Sequence, residues 1–129
     1  MTRQRPNVLD QQCESRQALD RIADKWSILI VYALVDGPLR HGELRRTIQG
    51  ISQKMLTQTL RSMESDGLVA RDVKEMIPPH VEYSLTPLGR TLMDPLVAIC
   101  HWAMGHLPEV RKARQRADRK RAAARGPEH

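Results

Sequence analysis

Apolar residues recur at helical spacing in several stretches of this chain. Ser15 is placed to cap a first helix through RQALDRIADKW, in which Asp24 and Lys25 indicate a break or bend. The heavily apolar segment WSILIVYALVDG then predicts a second helix closed by Gly37. A short turn or edge strand at Leu39–Arg40 precedes a third helix, which is predicted over Glu43–Ile48. This part of the chain is therefore expected to supply a helical core.

The fourth helix has the clearest boundaries. Ser52 is a favoured N-cap residue, and Gly67 can adopt the left-handed conformation that closes a helix after Asp66. Its buried stripe is predicted to comprise Met55, Leu56, Thr59, Leu60 and Met63. Its opposite face carries Gln53, Lys54, Thr57, Gln58, Arg61 and Ser65. Such a face is either simply solvated or contacts a polar partner.

Two segments with alternating apolar and polar residues follow the fourth helix and predict a hairpin. They are LVARDVK, from Leu68, and VEYSLT, from Val81. Thr86 and Pro87 then open a last helix that is expected to end near His106. Beyond residue 110 no apolar pattern remains, so the chain there either extends the helix or is disordered.

The order of these elements predicts a winged helix-turn-helix fold, mainly α with a small β-hairpin. Gly50 lies in the tight turn between the third and fourth helices. The buried stripe would fasten the fourth helix to the core, so that its polar face can enter a DNA major groove about 12 Å wide. We divide the chain into a flexible arm (1–12), one domain (13–107) and a basic, flexible tail (108–129).

Duplex DNA is the partner that this polar face favours. Gln can pair with adenine, Arg or Lys with guanine, and a hydroxyl with either base or with phosphate. The dipole at the N-terminus of the fourth helix would also favour a phosphate there. The predicted DNA-binding residues are Arg40, Arg45, Arg46, Ser52, Gln53, Lys54, Thr57, Gln58, Arg61, Lys74 and His80.

Three segments carry a resemblance to a known family: CESRQALDRIADKW, GPLRHGELRRTIQGISQKMLTQTLRSMESDGLVARDV and PPHVEYSLTPLG. Together they span roughly Cys13 to Trp102, and they closely resemble the HxlR-type family of bacterial winged-helix transcriptional regulators, which are related in fold to the MarR regulators. The resemblance implies a homodimer joined through the first and last helices. It also implies binding of double-stranded DNA at paired half-sites.

The chain departs from the family's usual residues at three positions. His41 stands where the family usually has Phe, and Gln49 replaces a common Pro. His80 replaces a frequent Arg or Lys, which weakens a contact between the hairpin and phosphate at neutral pH. The hairpin also carries Asp72, Glu75 and Glu82 beside Arg71 and Lys74, so a DNA contact and a plain hairpin remain open alternatives.

The net charge of +6 is a property of one segment. Residues 111–125 hold eight Lys or Arg side chains against one Asp, which leaves 13 basic and 14 acidic side chains in the rest of the chain. This tail is either a solubilising end or a second contact to phosphates beyond the major-groove site.

The sequence shows no apolar run of membrane-spanning length and no signal-peptide pattern, so we expect a cytoplasmic protein without a membrane partner.

The chain has two cysteines, Cys13 and Cys100, which are too few to form a framework of disulfides. Cys13 precedes the first helix with Arg16 nearby, a setting that favours a thiolate. In the family that the chain resembles, a cysteine at this place is common, and some members use it to sense oxidants, quinones or aldehydes. Cys13 is therefore the candidate redox-sensing residue, and the alternative is an unreactive residue packed at the dimer seam. Cys100 is expected to serve packing, and a disulfide between Cys13 and Cys100 of two subunits is an open alternative.

Other functions have weaker support. We expect no enzymatic activity and no cofactor, because the chain has no glycine-rich phosphate loop and no metal motif. Cys100 and His101 point about 100° apart on a helix, which disfavours a shared metal ion. Two alternatives remain, a protein-interaction module and a regulator controlled by a small-molecule effector instead of thiol chemistry. The candidate ligand pocket comprises Trp26, Tyr32, Leu96 and Trp102, residues that an ordinary dimer core would also use.

Overall fold

The computed structural model describes residues 8–126, apart from the side chain of Arg21. Residues 1–7 of the predicted flexible arm and residues 127–129 of the predicted tail lie outside this range. The described elements are α1 (Glu14–Ile22), α2 (Lys25–Leu34), β1 (Leu39–Arg40), α3 (His41–Thr47), α4 (Gln53–Ser65), β2 (Val69–Lys74), β3 (His80–Leu85), α5 (Pro87–Arg90) and α6 (Met93–Arg125). The prediction of a mainly α winged helix-turn-helix fold is confirmed.

The chain divides after Met93 into two compact units. The first unit holds α1 to α5 and the three strands, and the second begins at Asp94 and holds the rest of α6. No helix within residues 8–126 combines the length and the apolar character that crossing a membrane requires.

Helix α1 begins earlier than the sequence suggests. Its N-cap is Cys13, whose side chain makes no capping hydrogen bond, so the prediction that Ser15 caps this helix is wrong. The reason is a turn before the helix: the backbone N–H of Cys13 donates to the Asp10 carbonyl over 3.1 Å, and that of Gln12 donates to Asp10 Oδ1 over 2.9 Å. This turn directs the chain into the helix at Glu14. Asp24 in turn caps α2 by accepting a hydrogen bond from the Trp26 N–H.

The core of the first unit is aliphatic, as expected for a chain without Phe. Helix α2 packs against α3 and α4, and α4 packs against β2. The largest fully buried side chains are Ile30, Val31, Leu34, Leu44, Leu56, Leu60, Met63 and Val69. Met55 was predicted to be buried but is 37% exposed. One residue is a rotation of about 100° on a helix, so Met55 lies at the edge of the stripe that Leu56 occupies.

The three strands form one antiparallel sheet in the order β1-β3-β2. Strand β3 is central: Tyr83 lies opposite Arg71 of β2 on one side and Leu39 of β1 on the other. Of the two alternatives expected at Leu39–Arg40, a turn and an edge strand, the structure adopts the edge strand. It attaches the segment before α3 to the hairpin, which is the wing of the fold.

Helix α4 ends in the manner that its sequence predicts. Gly67 adopts a positive φ of 77°, and its N–H donates to the Glu64 carbonyl. The N–H of Leu68 donates to the Met63 carbonyl, and together these two bonds satisfy carbonyls that the helix end would otherwise leave unpaired. Thr86 fixes this turn from the other side, since its hydroxyl donates to the Gly67 carbonyl over 2.6 Å.

The predicted last helix is two helices. Thr86 does cap α5, and Pro87 is its first residue, but α5 ends at Arg90. A turn then leads into α6 at Met93. Pro95 favours this break: without an N–H it cannot donate to the Thr91 carbonyl, and in the first turn of α6 that missing donor costs no helical hydrogen bond. The Thr91 hydroxyl also donates to the Leu88 carbonyl, which favours the turn.

Helix α6 does not end near His106, so that prediction is wrong. The helix continues through Pro108 to Arg125 and closes at Gly126, which has a φ of 68°. Pro108 removes the hydrogen bond to the Met104 carbonyl, but the Ala, Arg and Lys residues that follow are strong helix formers. Of the two alternatives for residues after 110, the structure adopts the extended helix.

Candidate nucleic-acid interface

Helix α4 presents its polar face from a fixed N-terminus. The Ser52 hydroxyl accepts a hydrogen bond from the Met55 N–H over 3.0 Å, which confirms the predicted cap. The buried residues of α4 hold its other face against α2 and β2. Ser52, Gln53, Lys54, Gln58 and Arg61 are all exposed, so these predicted DNA-binding side chains are accessible together.

Helix α3 and the turn before α4 complete the helix-turn-helix. The Arg40 N–H donates to Glu43 Oε1 over 2.9 Å, which anchors the start of α3. Gly50 has a φ of 89°, a conformation that lets the chain reverse within a few residues. Arg45 and Arg46 are exposed in the last turn of α3, and within residues 8–126 no ion pair engages either.

A hydrogen bond links α3 directly to the polar face of α4. His41 Nε2 lies 3.0 Å from Thr57 Oγ1, and Thr57 Oγ1 also lies 2.9 Å from the Gln53 carbonyl. The Thr57 hydroxyl has one proton. If the hydroxyl donates that proton to the Gln53 carbonyl, it accepts from His41; otherwise it donates to His41. In both cases the proton is used within the protein, so Thr57 meets a DNA group only as an acceptor or through its methyl group.

Two predicted DNA contacts of the wing, Lys74 and His80, are paired with carboxylates of the wing itself. Lys74 Nζ lies 2.8 Å from Asp72 Oδ2, and this hydrogen bond and the charge of Asp72, with that of Glu82, raise the pKa of Lys74 above its usual value. His80 Nε2 lies 3.4 Å from Glu82 Oε2. Lys74 and His80 face each other across β2 and β3. A DNA phosphate must therefore compete with two carboxylates for these two predicted contacts.

The C-terminal part of α6 is a cationic helix. Residues 111–125 are exposed except for Ala117, which is half-buried. Arg121 Nη1 lies 4.0 Å from Asp118 Oδ1, and both side chains are more than 70% exposed. At 1.5 Å per residue this stretch is roughly 22 Å long, enough to follow several phosphates along a DNA strand.

The predicted sensor residue, Cys13, belongs to the first unit, and the residues of the predicted ligand pocket are divided between the two units. Cys13 is a half-buried free thiol at the start of α1, and Arg16 Nη1 donates to the Leu9 carbonyl over 3.1 Å. Trp26 and Tyr32 belong to the first unit, Leu96 and Trp102 to the second. Tyr32 lines a groove of about 420 Å³ with other residues of α2 and α3 and the turn that follows. Trp102 is 58% exposed and stacks on His106. The four-residue pocket stays a prediction.

The predicted set of DNA-binding residues omits two side chains next to α4. Arg71 of β2 and Tyr83 of β3 line a cavity of about 320 Å³ together with Thr57, Arg61 and Glu64 of α4. The sequence does contain a signal, because the two strands of a hairpin place Arg71 and Tyr83 on one face once their register is known. The length of the EMIPPH loop leaves that register open in the sequence.

These features together define a winged helix-turn-helix protein. The chain belongs to the HxlR-like helix-turn-helix family, whose model matches residues 21–111. It is 44% identical over 104 residues to the uncharacterized HTH-type transcriptional regulator YtfH of Escherichia coli (strain K12), a match that covers 81% of this chain and 82% of YtfH.

Solved structures give the same relationship. The structure of ytfH from Salmonella typhimurium is 42% identical to this chain, with a TM-score of 0.75 over 86% of this chain and 99% of that one. The redox regulator HypR in its reduced form is 39% identical, with a TM-score of 0.70 over 76% of this chain and 97% of HypR. The family resemblance inferred from the sequence is confirmed.

Proposed function

We propose that this protein is a sequence-specific DNA-binding repressor in which α4 reads base edges in the major groove. The observation that carries the proposal is the arrangement at the start of α4. Ser52 fixes the N-terminus, the buried stripe fastens the helix, and Gln53, Lys54 and Gln58 are exposed on the side away from the core. Gln and Lys are side chains that can discriminate bases in the major groove.

A homodimer is part of this proposal. Two copies would present two α4 helices about 34 Å apart, one turn of DNA, to paired half-sites. Exposed apolar side chains on the first and last helices support it, because monomeric proteins rarely leave several large apolar residues of one helix in water. Leu19 of α1 and Ile99, Trp102 and Met104 of α6 are all at least 50% exposed.

Cys13 is the proposed signal-sensing residue. The likeness to the redox regulator HypR supports it, as does the position of Cys13 as a free thiol at a helix start. Diamide takes one hydrogen atom from the Cys13 thiol of each of two protomers, is itself reduced to the hydrazine, and leaves the two sulfurs joined as a disulfide. A regulator acts by favouring one dimer geometry over another, so such a disulfide would change the spacing of the two α4 helices.

The experiment is DNA binding with and without oxidant. Purified protein is titrated against the duplex upstream of its own gene, in a salt series, before and after diamide and again after reductant. We expect selective, salt-dependent binding that diamide abolishes and reductant restores. Cys13→Ser is the matched variant, and Cys100→Ser is its control: the first should bind DNA regardless of diamide, and the second should respond as the parent does.

Other outcomes separate the alternatives. Selective binding that diamide leaves unchanged keeps the DNA-binding proposal, removes the thiol switch and favours an effector ligand. Dimerisation without selective, salt-dependent binding to DNA would favour a protein-interaction module.

A further inference from the structure

The polar cavity between α4 and the wing is a distinct feature of the first unit. Thr57, Arg61 and Glu64 contribute to it from successive turns of α4, and Arg71 and Tyr83 contribute from directly opposite positions on β2 and β3. Its volume is about 320 Å³. One water molecule needs roughly 10–15 Å³ of such space, so a tetrahedral anion fits together with several waters.

The cavity contains donors that no group of the described chain uses. Among residues 8–126, no ion pair or hydrogen bond engages the guanidinium groups of Arg61 and Arg71 or the hydroxyl of Tyr83. The Thr57 hydroxyl differs, because its proton is already donated within the protein. Three side chains can therefore donate hydrogen bonds into one space.

We propose that this cavity binds a single phosphoryl group through Arg61 and Arg71, with the Tyr83 hydroxyl as a third donor. Guanidinium groups match the geometry of phosphate oxygens, and two of them on one phosphate give directional hydrogen bonds as well as charge. The phosphoryl group belongs either to the DNA backbone beside the groove that α4 occupies or to a small phosphorylated molecule. The first source rests on the proposed function, and the second does not.

Glu64 limits the affinity of this site. Its carboxylate lines the same cavity, so the two arginines and Glu64 together carry one net positive charge. A phosphate is repelled by that carboxylate, and removing its charge should strengthen binding. Glu64→Gln is a useful test because a variant that merely loosens the fold would bind less tightly and not more.

The first measurement is the salt dependence of DNA binding by the full chain. Affinity is measured by fluorescence anisotropy in a salt series for the parent, Arg61→Gln, Arg71→Gln and the double variant. Each phosphate neutralised contributes about 0.9 to the slope of log K against log salt. If both arginines hold one phosphate, the double variant loses about 0.9 in total. A loss of about 1.8 would overturn the shared site, and no loss would exclude the DNA backbone as the source of the phosphoryl group.

Two further variants control this measurement. Arg90→Gln removes an arginine of the first unit that does not line the cavity, and it should leave the slope unchanged. Glu64→Gln should tighten DNA binding by about two- to fivefold, the range expected for one partly solvated charge pair. Equal or weaker binding by Glu64→Gln would contradict its placement in the site.

The second measurement identifies the source of the phosphoryl group. DNA-free protein is titrated with inorganic phosphate at constant ionic strength, and the Nε–Hε NMR signals of Arg61 and Arg71, assigned from the two variants, are followed. Saturable shifts of both signals assign the site to a small phosphorylated molecule. Shifts that appear only with duplex DNA assign it to the backbone. If neither titrant moves both signals, the site is refuted.

The two proposals fail in different ways. Without selective DNA binding, the saturable shifts with inorganic phosphate would still establish the anion site while the repressor proposal fails. Selective binding in which the double variant loses about 1.8 in slope would keep the repressor and refute the shared site.

Discussion

His41 Nε2 lies 3.0 Å from Thr57 Oγ1, so the first residue of α3 is hydrogen-bonded to the polar face of α4. The resembling family usually has Phe at this position, where only packing would join the two helices. In this chain a directional hydrogen bond joins the two helices in addition to the packing of α4 on its neighbours. We therefore expect this pair to contribute to the orientation of the proposed DNA-reading face.

We expect the energies of His41 and Thr57 to be coupled. His41→Ala and Thr57→Val should each lower the free energy of unfolding by about 1 kcal/mol, and a double-mutant cycle should give a coupling of about 0.5–1.5 kcal/mol. Urea denaturation measures all three variants. Thr47→Val is the control, because the Thr47 hydroxyl donates to the Glu43 carbonyl and not to His41. Its coupling to His41→Ala should be near zero, and equal coupling for both threonines would contradict this assignment.

Gly89 is expected to tolerate no side chain. A Cβ at this buried position would lie 2.1 Å from the Leu68 carbonyl oxygen and 3.2 Å from Leu85 Cδ2. Gly89→Ala should therefore lower the free energy of unfolding by about 1–3 kcal/mol, the usual range for overpacking. Gly105→Ala is the matched control on α6, where a Cβ meets no atom within 4 Å. That variant should raise stability by about 0.5–1 kcal/mol, and similar effects of the two changes would count against the packing of α5.

The Lys74–Asp72 pair gives a prediction about pH. Asp72 raises the pKa of Lys74 in the folded state, so the stabilisation from this pair is present below the unfolded pKa of 10.5 and is lost as pH rises through the folded pKa. Asp72→Asn should lower the pKa of Lys74, measured by NMR titration of its side chain. Glu75→Gln removes one charge from the same hairpin and should change that pKa less. An equal change in both variants would mean that Asp72 has no specific contact with Lys74.

Several features of the fold follow from local sequence, and others do not. Ser52 and Gly67 bound α4 because capping and a left-handed glycine act within a few residues, and both were predicted. The start of α1 was missed because it depends on the turn around Asp10. Pro95 carried a signal for the break before α6 that helical periodicity alone did not reveal. The persistence of α6 through Pro108 reflects the summed propensity of the residues that follow.

In the candidate site, too, some features could be predicted from the sequence and others could not. The exposed face of α4 could be predicted from spacing, since one helix defines it. The cavity beside it could not, because Arg61 and Arg71 come together only through the register of the hairpin and its packing on α4. The partners of Lys74 and His80 do not depend on that register, because Asp72 and Glu82 each lie two residues away on the same strand and so on the same face. Strand alternation alone could therefore have predicted that these two side chains pair with carboxylates.

The cationic end of α6 is expected to contribute to DNA affinity without contributing to sequence preference. Deleting residues 109–129 should flatten the slope of log K against log salt by about 0.9 for each phosphate that this segment neutralises. A full-length variant with Arg114, Arg116 and Arg119 changed to Gln preserves helix propensity and controls for the loss of the helix itself. Slopes unchanged in both variants would exclude binding of this segment to DNA.

The most direct measurement for the repressor proposal compares two duplexes of equal length and composition. One is the sequence upstream of the protein's own gene and the other is its scrambled version. At physiological salt we expect the parent to bind the first at least about 10³-fold more tightly. The double change Gln53→Ala and Gln58→Ala should reduce this ratio of affinities and should leave the weaker affinity for the scrambled duplex unchanged. Equal affinity of the parent protein for both duplexes would contradict the account.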